Sequence, residues 1–416
     1  MRTSAGLTEW DRFLPAPMRA TMFDSLAVAR RAGRSSFDDA SGGSPGRLFV
    51  VTRRKARMAS TLKIGLMGYG YAGATFHAPV IDHCGTPLEA PDTPYARIAA
   101  IATSQRERAL ADYPNAEIVA DIDALIASSE VECVVVATPN DTHYELAAKV
   151  LAAGKHVVVD KPVTLTADEA RTLARLARER GVLFAPFHNR RWDGDFMTLR
   201  ELIESGTLGR VVHFESHFDR FRPEVRQRWR EQASRGGGLL FDLGPHLIDQ
   251  ALALFGAPES VYATVKQHRD HASAPDYIHV LLGYPDKEVL LHASALVAIE
   301  PPRYIVHGTR GSYVKTGLDT QEDQLKAGLR PGQPGFGGGN AAGTLRALEG
   351  EREVERTVPT RDGAYVDFYR AVSTAATSGT PFPVSPQDAV DVMTIIELAN
   401  ESAREGKRLP FVRLPA

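Results

Sequence analysis

Asp160-Lys161-Pro162 and Asp242-x-x-x-His246 carry the side chains best suited to moving a proton. Lys161 follows an apolar run at 156–159, so it belongs at the carboxyl end of a strand. An ammonium there can polarise a substrate hydroxyl. Asp242 and His246 are four residues apart where an apolar helix should begin. That spacing places both on one helix face. The carboxylate would then orient the imidazole and raise its basicity. An isolated lysine is commonly solvated, and an isolated histidine is commonly a satisfied core residue. The strand end singles out Lys161. The nearby carboxylate and the preceding Gly236-Gly237-Gly238 single out His246.

Gly68-x-Gly70-x-x-Gly73 follows a short apolar run that begins at Lys63. The first glycine permits a tight turn, the second lets backbone N–H groups approach a pyrophosphate, and the third lets a helix lie close to the strand. The helix N-terminus then faces the phosphates with its partial positive charge. A dinucleotide site is expected here, with Tyr71 beside it. At the end of the next strand a site preferring NAD usually carries a carboxylate for the ribose 2′-hydroxyl. This chain has Ser104 and Arg106 instead, which suit a 2′-phosphate, so NADP is expected ahead of NAD. Thr138-Pro139-Asn140-Asp141-Thr142-His143 also follows a strand and opens a helix. Asp141 and Thr142 have an ordinary alternative as caps, whereas Asn140 and His143 are candidates for the cofactor side.

The elements that must position these groups alternate. Strands are expected at 62–67, 97–103, 132–137, 156–159 and 182–186, with helices at 71–82 and 142–153. A further helix opens on the capping box Thr166-Ala167-Asp168-Glu169 and stops at Gly181. Such alternation implies parallel βαβ units with chemistry at the carboxyl strand ends. After His188 longer alternating stretches appear at 211–221, 261–268, 277–284, 288–297 and 303–307, as in a mostly antiparallel sheet with one covered face. Helices at 195–205 and 245–255 sit among them, and the Gly- and Pro-rich stretch 329–340 is loop. A last helix opens on Ser385-Pro386, with an apolar stripe of Ala389, Val392, Met393, Ile396 and Ala399. The expected fold is therefore α/β. A dinucleotide-binding domain spans 61–186, an α+β domain with an open, mostly antiparallel sheet spans 187–384, and a helix at 385–416 packs back on the core.

Residues 1–60 differ, with 11 Lys and Arg against 5 Asp and Glu and no sustained period. A disordered extension is expected, or a true start at Met58. The segment lacks the apolar core of a secretory signal. A net charge of −2 over 416 residues excludes a dedicated nucleic-acid binder, and no run approaches a membrane span. Cys84 and Cys133 form no CxxC pair, so neither a disulfide framework nor a thiolate metal site is expected. A cytoplasmic protein is expected.

Residues 62–410 resemble the Gfo/Idh/MocA oxidoreductases, on the glycine motif, Thr138-Pro139-Asn140 with His143, Asp160-Lys161-Pro162 and Asp242-x-x-x-His246. Phe187-His188-Asn189-Arg190-Arg191-Trp192-Asp193 and His307-Gly308-Thr309-Arg310-Gly311 are similar to the bacterial branch containing NADP-dependent scyllo-inositol dehydrogenases. Asp160 departs from the family's usual glutamate but keeps its charge on a shorter arm. The resemblance implies a Rossmann dinucleotide-binding domain and hydride transfer between NADP and a cyclic polyol or sugar, without a metal. It implies His246 as base, Lys161 on the reacting oxygen and Asp242 orienting the site, with Asn189, Arg191, Trp192 and Asp193 near cofactor or substrate. It also implies a homodimer or homotetramer. Some relatives instead use NAD to assist sugar hydrolysis or elimination, and a sensor of NAD(P) without turnover is a third reading.

Overall fold

The computed structural model describes residues 60–86, 93–233 and 236–416. The extension expected at 1–60 lies outside them, Ser60 excepted. From the amino end come β1 (Leu62–Met67), a π-helical turn at Gly73–His77, α1 (Ala78–Asp82), β2 (Ala96–Ala102), α2 (Arg106–Asp112) and β3 (Glu117–Val119). Next are α3 (Ile122–Ala127), β4 (Cys133–Val136), α4 (His143–Ala152), β5 (His156–Val159), α5 (Ala167–Arg180) and β6 (Phe184–Pro186). These strands form one parallel sheet in the order β3-β2-β1-β4-β5-β6. The Val-Val-Val runs of β4 and β5 are fully buried, as strands covered on both faces must be. Burial also pushes the Cys133 thiol up to about 12, so it is an inert core group.

The helix expected at 71–82 is present, with a π-helical segment at Gly73–His77 inside it. Pro79 has no N–H to give the Thr75 carbonyl, so the hydrogen-bond register widens before it. The capping box at Thr166 and Glu169 is present, and Gly181 closes α5 with φ +65°.

The second half runs α6 (Gly194–Glu204), β7 (Val211–His217), α7 (Leu239–Asp242), α8 (Gly244–Phe255), β8 (Ser260–Lys266), β9 (Tyr277–Gly283), β10 (Glu288–Ser294), β11 (Tyr304–Gly308) and β12 (Gly311–Lys315). It ends with α9 (Gln321–Lys326), β13 (Gly343–Glu349), β14 (Arg352–Val358), α10 (Val366–Ser378), α11 (Pro386–Glu405) and β15 (Leu409–Pro410). Nine strands pair as β14-β13-β12-β11-β7-β10-β9-β8-β15, antiparallel except where β7 meets β10. Along β9 and β10 every second residue is buried, so one face rests on the core and the other stays open.

The capping box of Ser385 and Asp388 opens α11, whose stripe packs across β8, α5 and α8. One hydrophobic cluster thus joins the first sheet, α5, α11 and the inner face of the second sheet. The other face of the first sheet is covered in part by α10, through Phe368, Tyr369 and Val372. Among the described residues no helix is long and apolar enough to cross a membrane.

Candidate active site

The carboxyl ends of β1 and β4 meet at the switch point of the first sheet, and the glycine loop lies over it. Gly68 has φ +92°, and a Cβ there would lie 2.6 Å from the Ala137 carbonyl oxygen. A Cβ on Gly73 would lie 2.0 Å from the Gly68 carbonyl oxygen, so this turn closes only on glycine. Gly70 differs, because among the described residues nothing beyond its chain neighbours lies within 4 Å of its Cβ position. Its lack of a side chain serves no internal packing and leaves room for a bound group against the loop's backbone. Those three observations fit a dinucleotide. Thr138 adjoins Gly68, and the Pro139 carbonyl accepts the Thr142 N–H at 2.9 Å. Ser104 and Arg106 stand exposed past the end of β2, and Arg106 has no ion pair among the described residues.

Lys161 reaches from the end of β5 to the second half of the molecule. Its Nζ donates to the Asp242 carbonyl oxygen at 2.6 Å and to Asp242 Oδ1 at 3.1 Å. Arg220 Nη1 donates to the other carboxylate oxygen at 3.4 Å. Burial opposes ionisation of Asp242, but Lys161, Arg220 and Arg230 outweigh it and hold the carboxyl far below its usual range. The pairing expected between Asp242 and His246 is not made. Asp242 ends α7 and His246 lies in the first turn of α8, with Leu243 between the two helices, so the carboxylate turns to Lys161.

His246 is 6 % exposed and its Nδ1 is buried with no partner. Burial, then the charges of Lys161 and Arg190, hold its imidazole well below the ordinary value, with Asp242 opposing. It is therefore a neutral base. Asp160 supports Lys161 by accepting its backbone N–H at 2.8 Å. Burial raises the Asp160 carboxyl, but His77, whose Nε2 lies 3.8 Å away, and Lys161 bring it down to about 2.

These groups share a cavity of about 430 Å³. Tyr71, Ala72 and Phe76 line it from the glycine loop, Asp160 and Lys161 from the end of β5, and Asp242 and His246 from the second half. Asn189 lies on its wall, as expected, and so does Arg190.

Three other expectations are corrected. Arg191 does not face the cavity. It donates to both Asp249 oxygens at 2.9 and 2.6 Å and lies 3.2 Å from Asp388, tying α8 to the start of α11. Trp192 packs edge-on to Phe368 at 5.6 Å. Asp193 is buried and accepts the Tyr365 hydroxyl at 2.7 Å, beside Arg190. A single 3₁₀ turn at Asn189–Trp192 points successive side chains in different directions, so a run of adjacent residues cannot all face one site. Asn140 and His143, like Gly68, Gly70 and Gly73, do not line this cavity, and Asn140 lines a small recess with Lys161 and Asp242. Asn140 Nδ2 donates to the Gly236 carbonyl at 2.9 Å. The buried His143 ring lies between the carbonyls of Pro162, 2.7 Å from Nδ1, and Thr138, 2.9 Å from Nε2. Both residues hold loops around the site.

The cavity also contains Arg220, Arg222, Arg226, Arg228 and Arg230, of which only Arg220 falls in an expected element, the strand at 211–221. Five arginines in eleven residues of a chain with net charge −2 were the available signal. Glu322 and Lys326 of α9 complete the wall.

Two family descriptions match the chain: an oxidoreductase family NAD-binding Rossmann fold over residues 62–188, and the same family's C-terminal alpha/beta domain over 200–411. The chain is 47 % identical over 347 residues to the uncharacterized oxidoreductase YdgJ of Escherichia coli, covering 83 % of this chain and 98 % of that one. It is 38 % identical over 362 residues to the scyllo-inositol 2-dehydrogenase (NADP(+)) IolW of Bacillus subtilis, covering 86 % and 99 %. The crystal structure of an oxidoreductase from Bacillus cereus superposes with a TM-score of 0.77 at 33 % identity, covering 86 % and 100 %.

Proposed function

Because this chain belongs to the Gfo/Idh/MocA oxidoreductases and carries their NAD(P)-binding domain, we propose that it is an NADP-dependent dehydrogenase acting on a secondary alcohol of a cyclic polyol or sugar. One observation carries this reading: Lys161 and a neutral, unpartnered His246, from different halves of the molecule, line the same cavity as the glycine loop. NADP, held at Gly68, Gly70 and Gly73, supplies the acceptor for hydride when bound. His246 accepts the hydroxyl proton from the substrate, and Lys161 donates a hydrogen bond to the same oxygen as charge develops on it. Asp242 fixes the Lys161 ammonium by its carboxylate and its carbonyl, so the donor is preorganised rather than solvated.

The preference for NADP rests on Ser104 and the unpaired Arg106, and on the NADP(+) in the name of the Bacillus subtilis relative. That name also supports a cyclic polyol as substrate class. Incubation with NADP or NAD and a panel of inositols and aldoses, followed by absorbance at the NADPH wavelength, tests the reading. Turnover should appear with NADP. Lys161→Ala and His246→Ala should each lower kcat by about a hundredfold or more, the usual contribution of acid–base groups. Wild-type rates in both variants would refute the assigned roles.

A further inference from the structure

We propose that the arginine-lined wall of this cavity binds an anionic group, a phosphate or a carboxylate, borne by the reacting polyol or sugar; this rests on the dehydrogenase reading above. Eight cationic side chains line the cavity against three carboxylates. Each carboxylate is already engaged. Asp160 accepts the Lys161 N–H, Asp242 lies between Lys161 and Arg220, and Glu322 pairs with Arg190 and Lys326. Arg228 is taken by Glu231 outside this cavity, at 3.1 Å. Arg222, Arg226 and Arg230 have no ion pair among the described residues; the Arg230 guanidinium carbon lies 4.5 Å from the Trp229 ring, and its charge also acts on Asp242. Burial and then Arg220, Arg228 and Arg226 hold the half-buried Arg222 below its ordinary value. Like charges gathered this way repel one another, and a bound anion offsets that repulsion.

The arginines are held on a built scaffold. Arg222, Arg226 and Arg228 lie on irregular chain after β7, and Arg230 lies in a 3₁₀ turn at Trp229–Glu231. Arg220 and Arg222 donate their N–H groups to Ser294 and Ala295 at 2.9 and 2.7 Å. The Gly238 N–H donates to the Arg230 carbonyl at 2.8 Å. Arg269, itself bound to Asp276 and Glu231, donates to the carbonyls of Arg222 and Glu224 at 3.3 and 3.2 Å.

Position assigns the anion to the substrate rather than to the dinucleotide's pyrophosphate. Arg220, Arg222, Arg228 and Arg230 continue past Asp242 into a side recess that Arg269, Gly238 and Leu239 also line, with Glu231 held there by Arg228 and Arg269, and no glycine-loop residue lines that recess. Asp242 alone separates Arg220 from the Lys161 ammonium. An anion held there is therefore a neighbour of the reacting hydroxyl. Guanidinium forks match the paired oxygens of phosphate and carboxylate, whereas the hydroxyls of a neutral polyol would leave the charge uncompensated.

The test titrates the full chain, with NADP present, with glucose, glucose 6-phosphate, glucuronate and inorganic phosphate by calorimetry. An anionic sugar should bind at least about tenfold more tightly than glucose, and phosphate should compete with it. A gain for only one of the two sugars supports the site and names its anion. Arg226→Ala removes an exposed side chain with no ion pair among the described residues, and Arg222→Gln keeps a polar side chain but removes the charge. Each should cost about tenfold in anionic-sugar affinity while the NADPH Kd, read by fluorescence, stays within about twofold. Equal binding of glucose and both anionic sugars would overturn the proposal, as would an equal loss of NADPH affinity in the variants. Tight anionic-sugar binding without reduction of NADP would leave the anion site standing and remove the dehydrogenase reading. Turnover of neutral polyols without anion preference would do the reverse.

Discussion

His246 is kept uncharged by burial and by its cationic neighbours, so it can accept a proton at neutral pH. A lowered folded pKa moves the acid limb of the proposed polyol oxidation below the ordinary histidine value of about 6.5. The expected kcat/KM profile is flat through neutrality and falls only on further acidification. A limb centred above that value in a pH series would assign the base to another group. Asp160 gives a stability prediction of the opposite kind. Its pKa of about 2 lies below the unfolded aspartate value, so ionised Asp160 stabilises the fold above about pH 4. That contribution is lost as pH falls through about 2. Asp160→Asn should cost on the order of 2 kcal/mol at neutral pH, with the gap from wild type narrowing in urea melts between about pH 4 and pH 2. Asp242 shows the limit of local reasoning at this scale. Its partner is Lys161, 81 residues earlier, and no spacing near Asp242 could name it.

Two glycines of one loop separate folding from binding at the scale of the element. A methyl group on Gly73 meets the Gly68 carbonyl oxygen at 2.0 Å, whereas one on Gly70 meets, among the described residues, nothing beyond its chain neighbours within 4 Å. Gly70→Ala should therefore leave the thermal midpoint within a few degrees of wild type and weaken NADPH binding by about tenfold or more, read by fluorescence titration. Gly73→Ala should lower the midpoint as well, because the turn itself must open. Equal behaviour of the two variants would remove the distinction. Elements whose signals are local were legible. The valine runs of β4 and β5, the capping box of α5, the Ser385-Pro386 start of α11 and the terminating Gly181 stand close to where they were expected. β14 was not, because it is an exposed hairpin strand with no covered face to impose an alternating pattern. It is held by cross-strand pairs such as Arg346 with Glu355 and Arg356 with Glu349.

The whole molecule depends on ties that cross the chain. Arg191 is one: Asp249 on α8, Asp388 at the start of α11 and the Pro383 carbonyl all converge on its guanidinium. Arg191→Ala leaves the Asp249 carboxylate buried without its guanidinium and should cost about 3–5 kcal/mol in urea unfolding. KM for the polyol should change little, which separates a structural tie from the substrate contact the motif had suggested. A large rise in KM at unchanged stability would restore the binding role. The helix α10 makes the same point about organisation. It comes late in the chain yet covers part of the first sheet, so contiguity in sequence is a poor guide to which half of the molecule it completes.

Residue type and short spacing determined the glycine loop, the parallel strands, the capped helices and the choice of Lys161 and His246 as candidates for proton transfer, because each depends on neighbours within a turn or a strand. Tertiary structure decided which charges meet. It gave Asp242 to Lys161 rather than to His246, turned Arg191, Trp192 and Asp193 away from the cavity, and gathered the arginines of 220–230 into its wall. Ion pairs and cavities are made by segments far apart in the chain, and only the folded path brings them within reach of one another.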